Sequence, residues 1–211
     1  MLANLVNIIV VGYGPKVKHL DKACLNSILF NTSHPYIITY FDNYASGMSL
    51  TAVWNKLVKF SDTKFICLLN NDTRVTENWL GKLVDTLTTD ERIGFVGPSG
   101  NCHSVQSSVV SEEHAQKHIG KVVMLKDPPS GFCLLFRKKI WDEINGFNEQ
   151  YNLYGSESDF CDRATKVGYK YAWRKDVFIH HLGESSSKAY AIDTIKEREK
   201  AKKLYWESRD K

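Results

Sequence analysis

Five apolar residues, Phe65-Ile66-Cys67-Leu68-Leu69, run without polar alternation into Asn70-Asn71-Asp72. A run this short and uniformly apolar predicts a strand buried on both faces, as in a parallel sheet. Ligands of open α/β sheets bind just beyond the carboxyl ends of such strands, so Asp72 stands where a metal or a phosphate-bearing substrate is expected. Upstream, Val6–Val11 predicts a first strand, with Gly12-Tyr13-Gly14-Pro15 as the turn after it. Asp21 is placed to cap a helix reaching about Asn31, with Leu20, Cys24 and Ile28 on its inner face. Tyr36–Phe41 predicts a second strand closed by Asp42-Asn43. Leu50, Val53, Trp54, Leu57 and Val58 then form a helical stripe, and after Asp72 so do Leu80, Leu83, Val84 and Leu87. Ile93–Val96 predicts a fourth strand stopping at Gly97-Pro98. Strand and helix alternate to this point, which implies a parallel sheet with right-handed crossovers.

The order then changes. Residues 99–121 have few apolar positions and predict a loop region with one short helix. Val122–Leu125 and Phe132–Phe136 read as strands, and Ile140–Ile144 as a short helix stopped by Gly146. Ser158–Val167 predicts a helix with Phe160, Ala164 and Val167 inward. Tyr169–Trp173 and Val177–His180 predict two further short strands, and a charged helix follows from about Ala189. One domain is expected over residues 1–187, with residues 188–211 as a charged helix packed on it or extending from it.

At 211 residues, 43% hydrophobic and 25% charged, the chain has the composition of an ordinary globular domain. Its formal charge of +4 is uneven: Lys188–Lys211 carries eight Lys/Arg against five Asp/Glu. The remaining body is nearly neutral, which argues against nucleic-acid binding as the main activity. The basic tail could touch anionic lipid at a membrane surface, although its interspersed glutamates fit a solvated helix. The five cysteines are widely spaced with no Cys-x-x-Cys pair. That argues against a zinc site or disulfide framework and fits a reducing cytosol. Leu5–Val11, interrupted by Asn7, is too short for a signal or membrane-spanning segment. A cytoplasmic protein, at most peripheral at the membrane, is expected; oligomeric state is not legible.

Several segments carry candidate chemistry. Gly12-Tyr13-Gly14 is no dinucleotide fingerprint, because Val17 stands at the third glycine position and Pro15 follows at once. Asp42 and Asn43 either contact a nucleotide from a strand end or form an Asx-turn. Asp72 offers a hard cation one carboxylate and Asn70 a carbonyl or water-mediated contact, substrate phosphates supplying the rest; alternatively Asp72 or Thr76 starts the next helix. Glu157 and Asp159 lie at a predicted helix start. Asp159 is spaced to pair with Arg163, whereas Glu157, expected outside the helix, is freer to act as a general base. Of His180 and His181, adjacent on a strand, at most one can face a site shared with Asp72.

Taken in order, these segments resemble a family 2 glycosyltransferase of the GT-A fold, of the rhamnosyltransferase-like kind. Asn7–Val11 is similar to the family's opening strand, and Cys24–Ile28 to its first helix. Phe41-Asp42-Asn43-x-x-Ser46 resembles its nucleotide-binding turn. Leu68–Thr73 resembles a variant Asp-x-Asp motif, with Asn70 in place of the first aspartate. Val96–Asn101 with Gln106 is similar to a segment near the sugar. Ser130–Leu135 and Gly146–Glu149 resemble the strand and turn before the catalytic acid, and Asp176–His181 with Gly183 the closing strand.

The resemblance implies an α/β, mixed and mostly parallel sheet flanked by helices. It further implies an inverting, metal-dependent transfer from a nucleoside-diphosphate sugar to a hydroxyl of a glycan or glycolipid. Val11, Tyr13, Asp42, Asn43, Asn70, Asn71 and Asn101 would bind the donor; Asp72 with His180 or His181 would hold Mg²⁺ or Mn²⁺. Glu157 is the base by position, and Asp159 takes the role if the alignment slips. Asn70 and Ser156 depart from the family's acidic positions, which keeps open a catalytically inactive nucleotide-sugar or glycan-binding protein. A nucleotidyltransferase would need a basic Gly-rich loop that Gly12–Lys16 matches poorly.

Overall fold

β1 (Val6–Gly12) and β3 (Phe65–Asn70) lie side by side and parallel, each buried on both faces as their apolar runs require. The computed structural model describes residues 4–102 and 104–209; residues 210–211 of the expected tail lie outside the described residues. The other strands are β2 (Tyr36–Asp42), β4 (Thr73–Val75), β5 (Ile93–Gly100), β6 (Val122–Leu125), β7 (Cys133–Arg137) and β8 (Lys170–His181). They form one sheet ordered β2-β1-β3-β7-β5-β8-β4, with β6 also paired to β8. β1–β2, β1–β3 and β5–β8 are parallel; β7 runs antiparallel between β3 and β5. The sheet is therefore mixed.

Helices cover both faces. Alternate residues of β1 and β3 point opposite ways. Val6, Ile8, Val10, Phe65, Cys67 and Leu69 pack with α1 (Lys18–Asn31) and α3 (Trp79–Thr88). Ile9, Ile66 and Leu68 pack with α2 (Leu50–Lys59), α5 (Lys138–Glu143) and α6 (Ser156–Lys166). Full burial of each such Leu, Ile or Phe side chain contributes roughly 1.5–3 kcal/mol. A satellite cluster of Val109, Ala115, Trp173 and Phe178 seats α4 (Glu112–Gln116) against β8. All five cysteines are free.

Four local expectations are corrected. Asp21 does not cap α1: the helix starts at Lys18, and Asp21 lies buried within it. Neither Asp72 nor Thr76 starts the next helix: Asp72 is followed by β4, three residues paired antiparallel with the end of β8, and α3 begins at Trp79. The two short strands expected over Tyr169–His180 are one twelve-residue strand, interrupted by a register shift where Pro98 pairs with Arg174 and Ser99 with Phe178. Glu157 lies inside the first turn of α6, which begins at Ser156. After β8 come α7 (Ser185–Ala189) and α8 (Thr194–Arg209). Among the described residues no helix is long and apolar enough to cross a membrane.

Candidate active site

The carboxyl ends of β1, β3, β5 and β8 open onto one cleft of about 920 Å³. Of the residues singled out from sequence, Val11, Tyr13, Asn43, Asn70, Asn71, Asp72, Asn101, Glu157 and His181 line it. Asp72 and Glu157, 85 positions apart, thus share one cavity. Asp42, Asp159 and His180 are not in its walls.

The Asn70–Asp72 loop is fixed from several sides. Asn71 donates to Asp21 Oδ1 at 2.7 Å, and Asp21 Oδ2 accepts from the Tyr40 hydroxyl at 2.7 Å. Lys18 donates to that same hydroxyl at 2.8 Å. The Asp72 carbonyl accepts from Leu182 N–H, and its carboxylate from Ser185 N–H at 3.2 Å. His181 Nε2 stands 3.3 Å from Asp72 Oδ1. Burial acts to raise the Asp72 pKa, but the His181 contact and charge and the Ser185 hydrogen bonds outweigh it, leaving the carboxyl below its ordinary value.

His181 is oriented by its surroundings. Its Nδ1 lies 2.9 Å from the Asn101 carbonyl, which can only accept, so Nδ1 carries a proton. Its ring stacks on Phe132, with centroids 4.9 Å apart and planes 14° from parallel. Nε2 faces Asp72 Oδ1 and also lies 3.4 Å from the Asn70 side-chain amide nitrogen. His180, the next residue on β8, is exposed and packs edge-on against Phe178. Strand alternation selects His181 for the cleft.

The two carboxylates of α6 separate cleanly. Asp159 Oδ2 accepts from Arg163 Nε at 2.8 Å, and the same guanidinium donates to the carbonyls of Ile144 and Gly146 at 2.7 and 2.6 Å. Asp159 thereby braces the turn before α6 and is taken up by structure. Glu157 projects into the cleft against the backbone of Gly131, where a Cβ would overlap its Oε1. Burial pushes its pKa above the ordinary value, opposed by hydrogen bonds from its own N–H and the Ser156 hydroxyl.

At the end of β2, Asp42 Oδ1 accepts from Gly14 N–H at 2.9 Å and Tyr44 N–H at 3.2 Å, an Asx-type arrangement. Lys18 Nζ lies 3.7 Å from its other oxygen. Asn43 is buried and donates to the Met48 carbonyl, shaping the loop that follows β2. Gln106, fully buried, donates to Pro98 O and accepts from Ser130 N–H at 2.7 Å, tying the end of β5 to the loop carrying Gly131.

Residues 23–197 match the family described as glycosyltransferase like family 2. The chain belongs to that family. Its mixed sheet flanked by helices is consistent with the GT-A fold, and members of this family use nucleotide-sugar donors, often with divalent cations. Uncharacterized proteins of Mycobacterium bovis and of two Mycobacterium tuberculosis strains, CDC 1551 and H37Rv, are each 25% identical over 126 residues. These matches cover 58% of this chain and 48% of each relative, so the chain spans about half the length of the curated relatives it matches.

Sequence reasoning missed Asp21 as a buried anchor for the Asn70–Asp72 loop, and the share of the cleft built by the segment after β8. Glu184, Ser187, Lys188, Ile192 and Arg198 all line it. Asp21 was visible only as a helix-start residue, and nothing in the spacing of Lys188 or Arg198 sets them apart from neighbouring tail charges.

Proposed function

We propose that this chain is an inverting, metal-dependent glycosyltransferase of the rhamnosyltransferase-like kind, moving a hexose-type sugar from a nucleoside diphosphate to a glycan or glycolipid hydroxyl. The observation that carries this reading is the convergence of Asp72 and Glu157 in one cleft. The nucleotide would lie along Val11, Tyr13 and Asn43, with Asp42 stiffening the turn beside it. Asn101 and the Gln106-braced loop would border the sugar.

Asp72 and His181 fit a divalent cation. An anionic oxygen and an imidazole nitrogen face each other across 3.3 Å, and His181 Nδ1–H is held by a carbonyl, as in metal-bound histidines. Among the described residues no group of three His, Cys, Asp or Glu side chains gathers as a metal cage. Mg²⁺ bound through one carboxylate and substrate phosphates needs none. When bound, the cation neutralises the departing diphosphate.

Glu157 removes the proton of the acceptor hydroxyl. The acceptor oxygen forms its bond to the anomeric carbon from the face opposite the diphosphate, and the carbon–oxygen bond to the diphosphate breaks with its electron pair. A raised carboxyl pKa makes Glu157 a stronger base than a solvated carboxylate.

The deciding experiment incubates the chain with Mn²⁺, a panel of nucleotide sugars and hydroxyl acceptors, and measures nucleoside diphosphate release. Release that requires both Asp72 and Glu157 supports the transferase. Tight nucleotide-sugar binding without acceptor-dependent release in any combination favours a binding protein of the same fold.

A further inference from the structure

Apart from His181, the basic side chains lining the cleft among the described residues are Lys188 and Arg198. Neither belongs to a strand end of the sheet. Lys188 sits on α7 and Arg198 on α8, one residue beyond the segment that matches the family. The tail that reads as a solvated basic helix therefore turns two of its cations into the cavity.

Arg198 is already seated on an anion. Its Nη2 binds Glu184 Oε1, the Tyr154 hydroxyl stands 3.4 Å from that same oxygen, and the guanidinium lies 4.9 Å from the Tyr154 ring centroid. Glu184 takes a left-handed backbone (φ 58°) next to Gly183 (φ 75°), a conformation unfavourable for a residue with a side chain. Ser185, the residue after it, donates its N–H to Asp72. The cradle thus adjoins the carboxylate proposed to hold the cation, and Tyr154 lies three residues before Glu157. An Arg and a hydroxyl converging on one oxygen is a pattern suited to phosphate.

The ion pair is a weak structural strut. Arg198 is 48% and Glu184 28% exposed, and such pairs contribute little to stability. α8 has other attachments: Asn152 donates to Glu197 at 3.3 Å, and the Tyr205 hydroxyl to Asp162. The helix does not depend on Arg198 for its seat.

We infer that Arg198, assisted by Lys188, binds the diphosphate of the donor, and that Glu184 occupies the guanidinium until that diphosphate arrives. This inference rests on the glycosyltransferase reading above. A fork-shaped guanidinium would contact two phosphate oxygens at once, while Lys188, whose Nζ donates to the Gly183 carbonyl at 3.2 Å, would add a point charge.

The test is calorimetric binding of UDP, GDP, dTDP and their nucleosides to the whole chain in Mg²⁺. The wild type is expected to bind one diphosphate at least ten times more tightly than its nucleoside. Arg198→Ala should weaken that diphosphate about 10- to 100-fold, leave the nucleoside unchanged and melt within about 2 °C of wild type. Glu184→Ala breaks the same ion pair but frees Arg198, and should bind the diphosphate as tightly as wild type or more so. Diphosphate binding untouched by Arg198→Ala, or weakened equally by both variants, overturns the inference and leaves the transferase reading standing. Farnesyl monophosphate serves as a lipid-phosphate probe: if Arg198→Ala weakens only that ligand, the cradle serves an acceptor and the donor assignment is wrong. A wild type that binds no nucleoside diphosphate ends the transferase reading and this inference together.

Discussion

Glu157 Oε1 occupies the space that a side chain on Gly131 would need. The carboxylate is the movable end of a flexible chain, so a methyl group at residue 131 would displace it at small cost to the fold. Gly131→Ala is therefore expected to leave the melting temperature nearly unchanged while lowering kcat about 100-fold, the size of effect that a displacement of about 1 Å can produce. Donor KM should stay near wild type. A parallel fall in stability and activity would mean that Gly131 serves the backbone and not Glu157.

The pH dependence of turnover follows from the raised pKa of Glu157. A base works deprotonated, so kcat should rise through an ionisation above the usual carboxylate range and then level off. Glu157→Gln should abolish that limb and lower kcat about 10²- to 10⁴-fold without weakening nucleotide binding. Stability moves the other way. Because the folded pKa lies above the ordinary 4.5, the folded state holds its proton longer, and wild type loses stability as pH rises through that window. Thermal melts of Glu157→Gln should show less of that loss.

Asp72 carries the opposite sign. Its folded pKa lies below the ordinary 3.8, so its contribution to stability is present above that value and disappears as pH falls through the folded pKa. The stability gap between wild type and Asp72→Asn should narrow below about pH 4. At neutral pH, chelation should stop turnover of the wild type and Mn²⁺ should restore it, whereas Asp72→Ala should stay inactive at any metal concentration. His181→Ala should raise the metal concentration needed for half-maximal rate, and exposed His180→Ala should not. The reverse ranking of the two histidines would contradict the facing seen on β8.

Asp159 and Arg163 give a contrasting pair. Removing Asp159 unpairs a guanidinium that also holds the Ile144 and Gly146 carbonyls, so Asp159→Asn should cost about 1–3 kcal/mol of stability by denaturant titration. Residual kcat per folded molecule should exceed that of Glu157→Gln. If Asp159→Asn is fully stable and inactive, the base has been placed on the wrong carboxylate.

The parts of this molecule that sequence reveals are those governed by local periodicity. The all-apolar run Phe65–Leu69 declares a doubly buried strand, and Leu80, Leu83, Val84 and Leu87 declare the inner face of α3, because each pattern has one way to bury itself. Asn70–Asp72 at a strand end is legible for the same reason. What stays hidden depends on long-range partners. Asp21 has the look of a helix start, and only the fold shows it between Tyr40 and Asn71. β4 is three residues long and exists because the end of β8 passes beside it. Arg198 is one basic residue among eight in the tail, distinguished solely by where α8 docks. Glu157 and Asp159 are two residues apart, and their different settings come from the neighbours Gly131 and Arg163, far away and nearby respectively.

The register shift in β8 has a consequence for how this chain can vary. Between Arg174 and Phe178 the strand carries three residues, Lys175, Asp176 and Val177, that match nothing on β5, while the pairing resumes up to Ile179. Paired residues share a face of a sheet, so the pairing that resumes after the detour, Gly100 with Ile179 and Thr73 with His181, decides that residue 181 turns inward. An unpaired bulge absorbs changes in its own length. Insertions and deletions within the detour should therefore leave His181 facing Asp72, whereas a slip of the Ile179–His181 pairing by one residue would present His180 instead.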